Sequence, residues 1–212
     1  MRTASEGLIN EFAQLAHKLG IDIWETIEAA STKPFGYESF FPGPGVGGHC
    51  IPLDPQYLTW RAKEVRLSTP IIDAAEQVNL AMPRFTASRI ADVLNDRGLP
   101  VRGARVLGVG VAYKPNVADD RESASLRVLH ELQERGALVS AIDPVVGLER
   151  IAHHGLQPVD IEDDLSGFHI AVVLTDHEVI DLARIADQVP AVFDTLDALR
   201  RRGIHKANVV KL

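Results

Sequence analysis

The sequence is nearly without cysteine: one thiol, Cys50, in 212 residues. A single cysteine excludes an internal disulfide framework and points to a reducing compartment. Long apolar runs are missing too. No stretch reaches the length of a membrane-spanning helix, and the opening "MRTASEGLIN" lacks the apolar core of a secretory leader, so the cytoplasm is the default expectation. Positive charge is not in excess: 22 Lys and Arg stand against 29 Asp and Glu, a formal charge of −7. That balance gives no electrostatic footprint for nucleic acid or acidic lipid, and an anionic ligand would need a local basic site. Repeats and low-complexity tracts are absent as well. What is there is an ordinary globular composition, 46% hydrophobic and 24% charged, with chain enough for one large domain or two small ones.

The patterning divides near residue 100. Residues 1–100 read as helical. "LINEFAQLAHKLG" places Leu8, Phe12, Leu15, Ala16 and Leu19 on one face and stops at Gly20, a good C-terminal glycine. "DIWETIEAAST" starts a second helix, with Asp22 and Glu25 spaced as a capping box. Residues 33–53 form a loop rich in Pro, Gly and aromatics. "DPQYLTWRAKEV" then restarts a helix, with Asp54 as N-cap and Pro55 at the first helical position. A long helix over 70–97, which Pro83 should kink, connects the two regions and serves either core packing or a dimer surface. Over 101–212, "ARVLGVGV", "ALVSAID", "HIAVVLT" and "AVFD" read as buried parallel strands alternating with amphipathic helices, "ESASLRVLHELQERG" and "EVIDLARIADQ". The expected architecture is α/β: a helical central domain joined by the long helix to a small doubly wound, Rossmann-like domain.

The chemistry concentrates in "PGPGVGGHCIPLD", residues 42–54. Gly43, Gly45, Gly47 and Gly48 allow close backbone approach to a ligand, and clustered amides in such a loop can hold hydroxyls or anions. The positive end of a nearby helix favours a thiolate. Two readings stand: a nucleophilic Cys50 with Asp54 as its carboxylate, or a structural turn with a small buried cysteine and an ordinary N-cap. His49 beside Cys50 suggests a thiol–imidazole pair, but sequence neighbours point apart and no Asn or Asp is arranged to orient the ring.

The segment "FFPGPGVGGHCIPLDPQYL" resembles the active-site segment of the nucleotide-sugar 6-dehydrogenases, whose Gly-Gly-x-Cys-x-Pro-x-Asp core is met by Gly47, Gly48, Cys50, Pro52 and Asp54. "NEFAQLAHKLGIDIWETIEAASTKPFG" and "TPIIDAAEQVNLAMPRF" resemble the helices flanking the loop, and "YKPNVADDRESASL" resembles the start of the family's UDP-binding domain. The resemblance spans residues 8–195, and its wording is closer to the UDP-N-acetylmannosamine branch than to the UDP-glucose branch. It implies an NAD-dependent oxidation of a sugar primary alcohol to a carboxylate, in the service of polysaccharide biosynthesis. By this resemblance Cys50 is the covalent nucleophile and Asp54 handles the proton and attacking water, while Phe41 and the four glycines line the sugar. It also implies a homodimer through the helix at 70–97.

"LGVGVAYKPNVADDRES" contains a superficial dinucleotide fingerprint, but about ten loop residues, Pro115 among them, precede the next helix, which excludes it as the NAD site. The resemblance gives it the UDP part of the substrate instead, with Lys114 on the nucleotide sugar and Arg121 near the cofactor. The alternatives are a solvated lysine and an Arg–Asp pair with Asp119 or Asp120. "LTDH", 174–177, ends a strand near the same cleft, with an N-cap role for Thr175 or Asp176 as the other reading.

The sequence departs from the family in three places. There is no strand–GxGxxG–helix unit for NAD, and the family's Lys and Asn, four apart, would fall before residue 1. In "FDTLDALRRRG" Leu196 stands where an arginine is expected; Arg200, Arg201 and Arg202 either substitute for it or form a solvated helix end. The expectation is therefore a portion of a UDP-sugar dehydrogenase, its NAD domain carried elsewhere in the polypeptide or on a separate chain. The alternative is a stand-alone UDP-sugar-binding or dimerisation module without turnover. A degraded remnant is a third possibility, against which the well-patterned core argues.

Overall fold

The computed structural model describes all 212 residues. Four helices come first: α1 (Arg2–Leu19), α2 (Ile23–Ser31), α3 (Cys50–Glu64) and α4 (Pro70–Asn95). Six parallel strands follow: β1 (Arg105–Val109), β2 (Leu138–Ile142), β3 (Gln157–Pro158), β4 (Ile170–Val173), β5 (Val192–Asp194) and β6 (Val209–Lys211). Between them run α5 (Ala124–Glu134), α6 (Leu148–His153), α7 (Leu182–Gln188) and α8 (Ala198–Arg201). The expected strands and the helices α5 and α7 are present. The patterning missed β3, β6, α6 and α8, which are six residues or shorter and too brief to show a period.

The strand order is β3-β2-β1-β4-β5-β6. It reverses between β1 and β4, the switch point at which open α/β sheets bind ligands beyond their strand ends. Strand β1 feeds both faces of the sheet. Val106 of β1 joins one core with Leu129 and Leu132 of α5, whereas Leu107 and Val109 join the opposite core with Ile185 of α7.

Helix α4 does not stand apart from this sheet. Met82, Ala87, Ile90, Val93 and Leu94 are buried in the same core as α5 and the strands, so its C-terminal half is one of the covering helices. The helix runs unbroken through Pro83. Proline offers no N–H to the carbonyl four residues back, and it is the freed Asn79 carbonyl that Gly45 approaches: a Cβ on Gly45 would lie 3.3 Å from it.

Local chemistry explains most helix ends. Gly20 takes the left-handed conformation and closes α1, and the Asp22 carboxylate caps α2 through the amides of Trp24 and Glu25. Two expectations fail. The stripe Leu8, Phe12, Leu15 and Leu19 is not the buried face of α1; Ile9, Asn10, Ala13 and Ala16 are. Small residues let α1 lie close against α4, and a Cβ on Gly7 would sit 2.8 Å from Ala75. Nor does Asp54 cap α3, which begins one turn earlier at Cys50 and encloses Pro55. The Ile51 carbonyl that Pro55 leaves unpaired accepts instead from Thr3 Oγ1 at 3.3 Å.

Candidate functional site

Where the glycine loop meets the switch point there is a cavity of about 970 Å³. One wall is the loop itself, with Phe41, Gly43, Gly45, Gly47, Gly48 and Cys50; the other comes from the sheet, with Lys114 and Arg121 after β1 and Thr175 and Asp176 after β4. Eight of the nine residues that the sequence singles out line this one space. Asp54 does not line it. It lies exposed on α3 four residues beyond Cys50, hence on the same helix face, with side chains on that face tilting toward the N-terminus.

Backbone geometry seats the loop against the sheet. Gly48 has φ +87° and its amide donates to the Arg121 carbonyl at 3.2 Å, and a Cβ there would meet the Tyr113 ring at 2.8 Å. A second anchor lies on the helical side. The buried Asn10 accepts the Gly43 amide at 3.1 Å and donates to Asn79 Oδ1 at 3.0 Å, and Asn79 in turn donates to the Thr3 carbonyl at 3.2 Å. Two of the four glycine amides are thus committed within the chain, and those of Gly45 and Gly47, which also line the cavity, have no partner in the chain. The loop delivers Cys50 as the first residue of α3, and its thiol is exposed. The reading of Cys50 as a small buried side chain is therefore excluded. His49 is exposed beside it and makes no hydrogen bond to it.

The loop after β1 is rigidly tied. Asp143, fully buried at the end of β2, accepts from the amides of Val111 at 2.7 Å and Ala112 at 3.0 Å, and from those of Val145 and Val146. Its fifth partner is His177, 3.1 Å away. The Asn116 amide donates to His177 Nδ1 at 2.9 Å, so the ring proton sits on Nε2 and points at Asp143. Burial works to raise the Asp143 carboxyl, but His177 and the backbone amides outweigh it and hold the group below its ordinary value. In a dinucleotide-binding sheet the acidic residue at this strand end holds a ribose hydroxyl; here it has no free lone pair to offer. Helix α5 also opens only at Ala124, well beyond β1. The residues present do not fit NAD at this switch point. Gly43, Gly45 and Gly48 do spell GxGxxG, but no strand precedes them.

Charged side chains around the cavity separate into committed and free. Arg121 grips Asp119 through three side-chain bonds of 3.0, 3.1 and 2.7 Å while still lining the space. Asp120 turns the other way, to Arg150 at 2.6 Å and His154 at 2.5 Å; the Arg150 guanidinium holds its carboxyl well below the usual range. Lys114 is exposed and makes no ion pair. Neither Thr175 nor Asp176 caps a helix: Thr175 donates to the Ala112 carbonyl at 2.6 Å, Asp176 pairs with Arg202, and α7 is capped by Asp181.

Several cavity residues were not singled out in the sequence: Arg2, Asn10, Trp24, Tyr113 and Ser125. Asn10 and Trp24 sit inside helical patterns that read as packing. Only their position against the loop, Trp24 stacked 6.1 Å from Phe41, makes them part of the site.

An exposed thiol at a helix start thus shares one cavity with the switch point of a parallel α/β sheet, across a glycine loop. Comparisons with known proteins give the family. Residues 1–81 match the central domain of the UDP-glucose/GDP-mannose dehydrogenase family, and residues 107–201 match its UDP binding domain. The chain belongs to this family. A UDP-N-acetyl-D-mannosamine dehydrogenase of Methanococcus maripaludis is 34% identical over all of this chain and 49% of its own length. A UDP-N-acetyl-D-glucosamine 6-dehydrogenase of Pseudomonas aeruginosa is 36% identical over 74% of the chain and 37% of its own length. Among solved structures, the UDP-D-ManNAc dehydrogenase of Pyrococcus horikoshii superposes with a TM-score of 0.80 at 26% identity, covering 99% of this chain and 48% of that one. The chain thus spans about half the length of these relatives.

Proposed function

We propose that this chain forms the catalytic-loop and UDP-binding portion of an NAD-dependent UDP-sugar 6-dehydrogenase. The observation that carries the reading is the exposed Cys50, first residue of α3, opening into the same cavity as Lys114 and the loop after β1. With the nucleotide held on the sheet side, the sugar extends toward the glycine loop and brings its C6 to the thiol. The Cys50 thiolate attacks the aldehyde carbon, forming a C–S bond while the carbonyl oxygen takes a proton. After the second oxidation, water attacks the resulting thioester, and the C–S bond breaks to give carboxylate and free thiol. Asp54, one turn along the same helix face, receives the proton of that water. NAD supplies the hydride acceptor, and its binding site belongs to polypeptide outside these 212 residues.

A homodimer and a cytoplasmic setting belong to the same proposal. The N-acetylmannosamine-type substrate is favoured by the similarity to UDP-N-acetylmannosamine dehydrogenases over 99–100% of the chain.

The test is NADH formation from NAD and UDP-N-acetylmannosamine by this chain together with the dinucleotide-binding half, joined or co-purified. Cys50→Ser is expected to lower the rate at least a thousandfold while leaving UDP affinity within about twofold. No turnover from halves that demonstrably associate would overturn the catalytic reading. UDP binding surviving alone would then favour a binding module, which the half-length coverage of the relatives makes the natural second reading.

A further inference from the structure

Leu196 presents an apolar wall to the cavity, 3.8 Å from where a Cβ on Gly43 would lie. Just beyond it α8 ends in three successive arginines, and the structure sends them to three different places. Arg200 turns away, gripping the buried Asp197 at 2.5 Å and Glu28 of α2 at 2.5 Å, and it does not line the cavity. Arg202 lines the cavity but is fully engaged: it donates to the carbonyls of Ile180 and His177 at 2.8 and 2.7 Å and pairs with Asp176 at 2.5 Å. Arg201 is different. Its guanidinium is half exposed and donates no hydrogen bond, and its one ionic neighbour, Asp176, is 3.6 Å away and already held by Arg202.

The other cavity cations divide in the same way. Arg2 is paired with Glu6 at 2.8 Å and Arg121 with Asp119, leaving Lys114 as the only other cation that donates no hydrogen bond. Against these two stands one uncommitted carboxylate, that of the exposed Glu178. A chain with a net charge of −7 therefore places on one cavity two cations that donate no hydrogen bond, Lys114 after β1 and Arg201 at the end of the helix that follows β5. A guanidinium with five unused donors suits a group with several anionic oxygens, which it can bind through two parallel bonds. A diphosphate is such a group.

We infer that Arg201, not Arg200 or Arg202, is a substrate-binding residue that holds the diphosphate of the nucleotide sugar together with Lys114. The inference rests on the reading of the cavity as a UDP-sugar site. It assigns the contact to a side chain five residues beyond Leu196, on a different local element.

Calorimetric titration of the chain with UDP and with uridine separates the two claims. Wild type should bind UDP, with affinity falling as salt is raised. Arg201→Ala and Arg201→Gln should each weaken UDP by about tenfold or more while changing uridine by less than twofold, and Arg201→Lys should recover part of the loss. UDP affinity within twofold of wild type in both variants would overturn the role of Arg201 and leave the UDP-site reading intact. So would equal losses for UDP and uridine. A wild-type chain that binds no UDP under these conditions would overturn both. The substitutions lie on a half-exposed side chain without a hydrogen bond, so melting temperatures near that of wild type are expected and show that the fold is retained.

Discussion

At the scale of single residues, Asp143 shows how a carboxylate becomes architecture. Four backbone amides and the His177 ring converge on it with no exposure to water, and through His177 it fixes Asn116 in the loop that carries Lys114. Its folded pKa is held below the unfolded value, against burial, by His177 and the amides. The stabilisation is therefore fully present above the unfolded pKa of about 4 and is lost as pH falls through the lower folded value. Asp143→Asn places an amide donor against amide donors and should cost about 2–3 kcal/mol at pH 7 by urea denaturation. The gap between wild type and variant should narrow as the pH is taken from 5 to 3. A gap that stays constant over that interval would mean the carboxylate's charge is not what stabilises the loop. Nothing in "ALVSAIDP" announces this role, because three of the five donors, on Val111, Ala112 and His177, lie more than 30 residues away and only the folded chain brings them to Asp143. Cys50 lies at the other extreme: its glycine-rich surroundings mark it in the sequence, and it stands exposed at a helix start.

At the scale of elements, the sequence was legible wherever one segment's own pattern decides its structure. The capped ends of α1 and α2 and the four principal strands follow from local spacing. It was not legible where a neighbour decides. The larger apolar stripe of α1 lost to a small-residue face because α4 approaches within contact distance of Gly7. The start of α3 lies before Asp54 because tertiary contacts, including Thr3 on the Ile51 carbonyl, satisfy groups that Pro55 leaves open. Between α1 and α4 the buried Asn10–Asn79 pair does a task that neither helix pattern predicts, holding the glycine loop at the Gly43 amide. Asn10→Ala would leave that amide and Asn79 Oδ1 without their partner in a buried setting. It should destabilise the chain by about 2 kcal/mol in a urea melt. It should also speed alkylation of Cys50, since the loop that delivers the thiol loses one of its two anchors. A variant as stable as wild type, with unchanged thiol kinetics, would show that the pair is incidental.

At the scale of the whole molecule, charge and apolar surface are unevenly distributed. The sheet is covered on both faces, and the C-terminal half of α4 is consumed in covering it. The helical part is not covered in the same way. Leu8, Phe12, Leu15 and Leu19 project from α1, Tyr57, Leu58 and Trp60 from α3, and Ile71 and Leu80 from the N-terminal half of α4. So many large apolar side chains exposed on three helices are what the proposed dimer would cover. This confines the proposed homodimer to the first half of the helix at 70–97 and the helices beside it. Sedimentation equilibrium at tens of micromolar should then give about twice the 23.1 kDa of the chain. The double substitution Ile71→Lys and Leu80→Lys, at positions 75% and 55% exposed, should shift it to monomer without lowering the melting temperature of the α/β core. A wild-type monomer throughout that range would remove the dimer from the proposal. Its apolar surface would then need another cover, and the relatives, about twice as long as this chain, carry enough additional polypeptide to supply one.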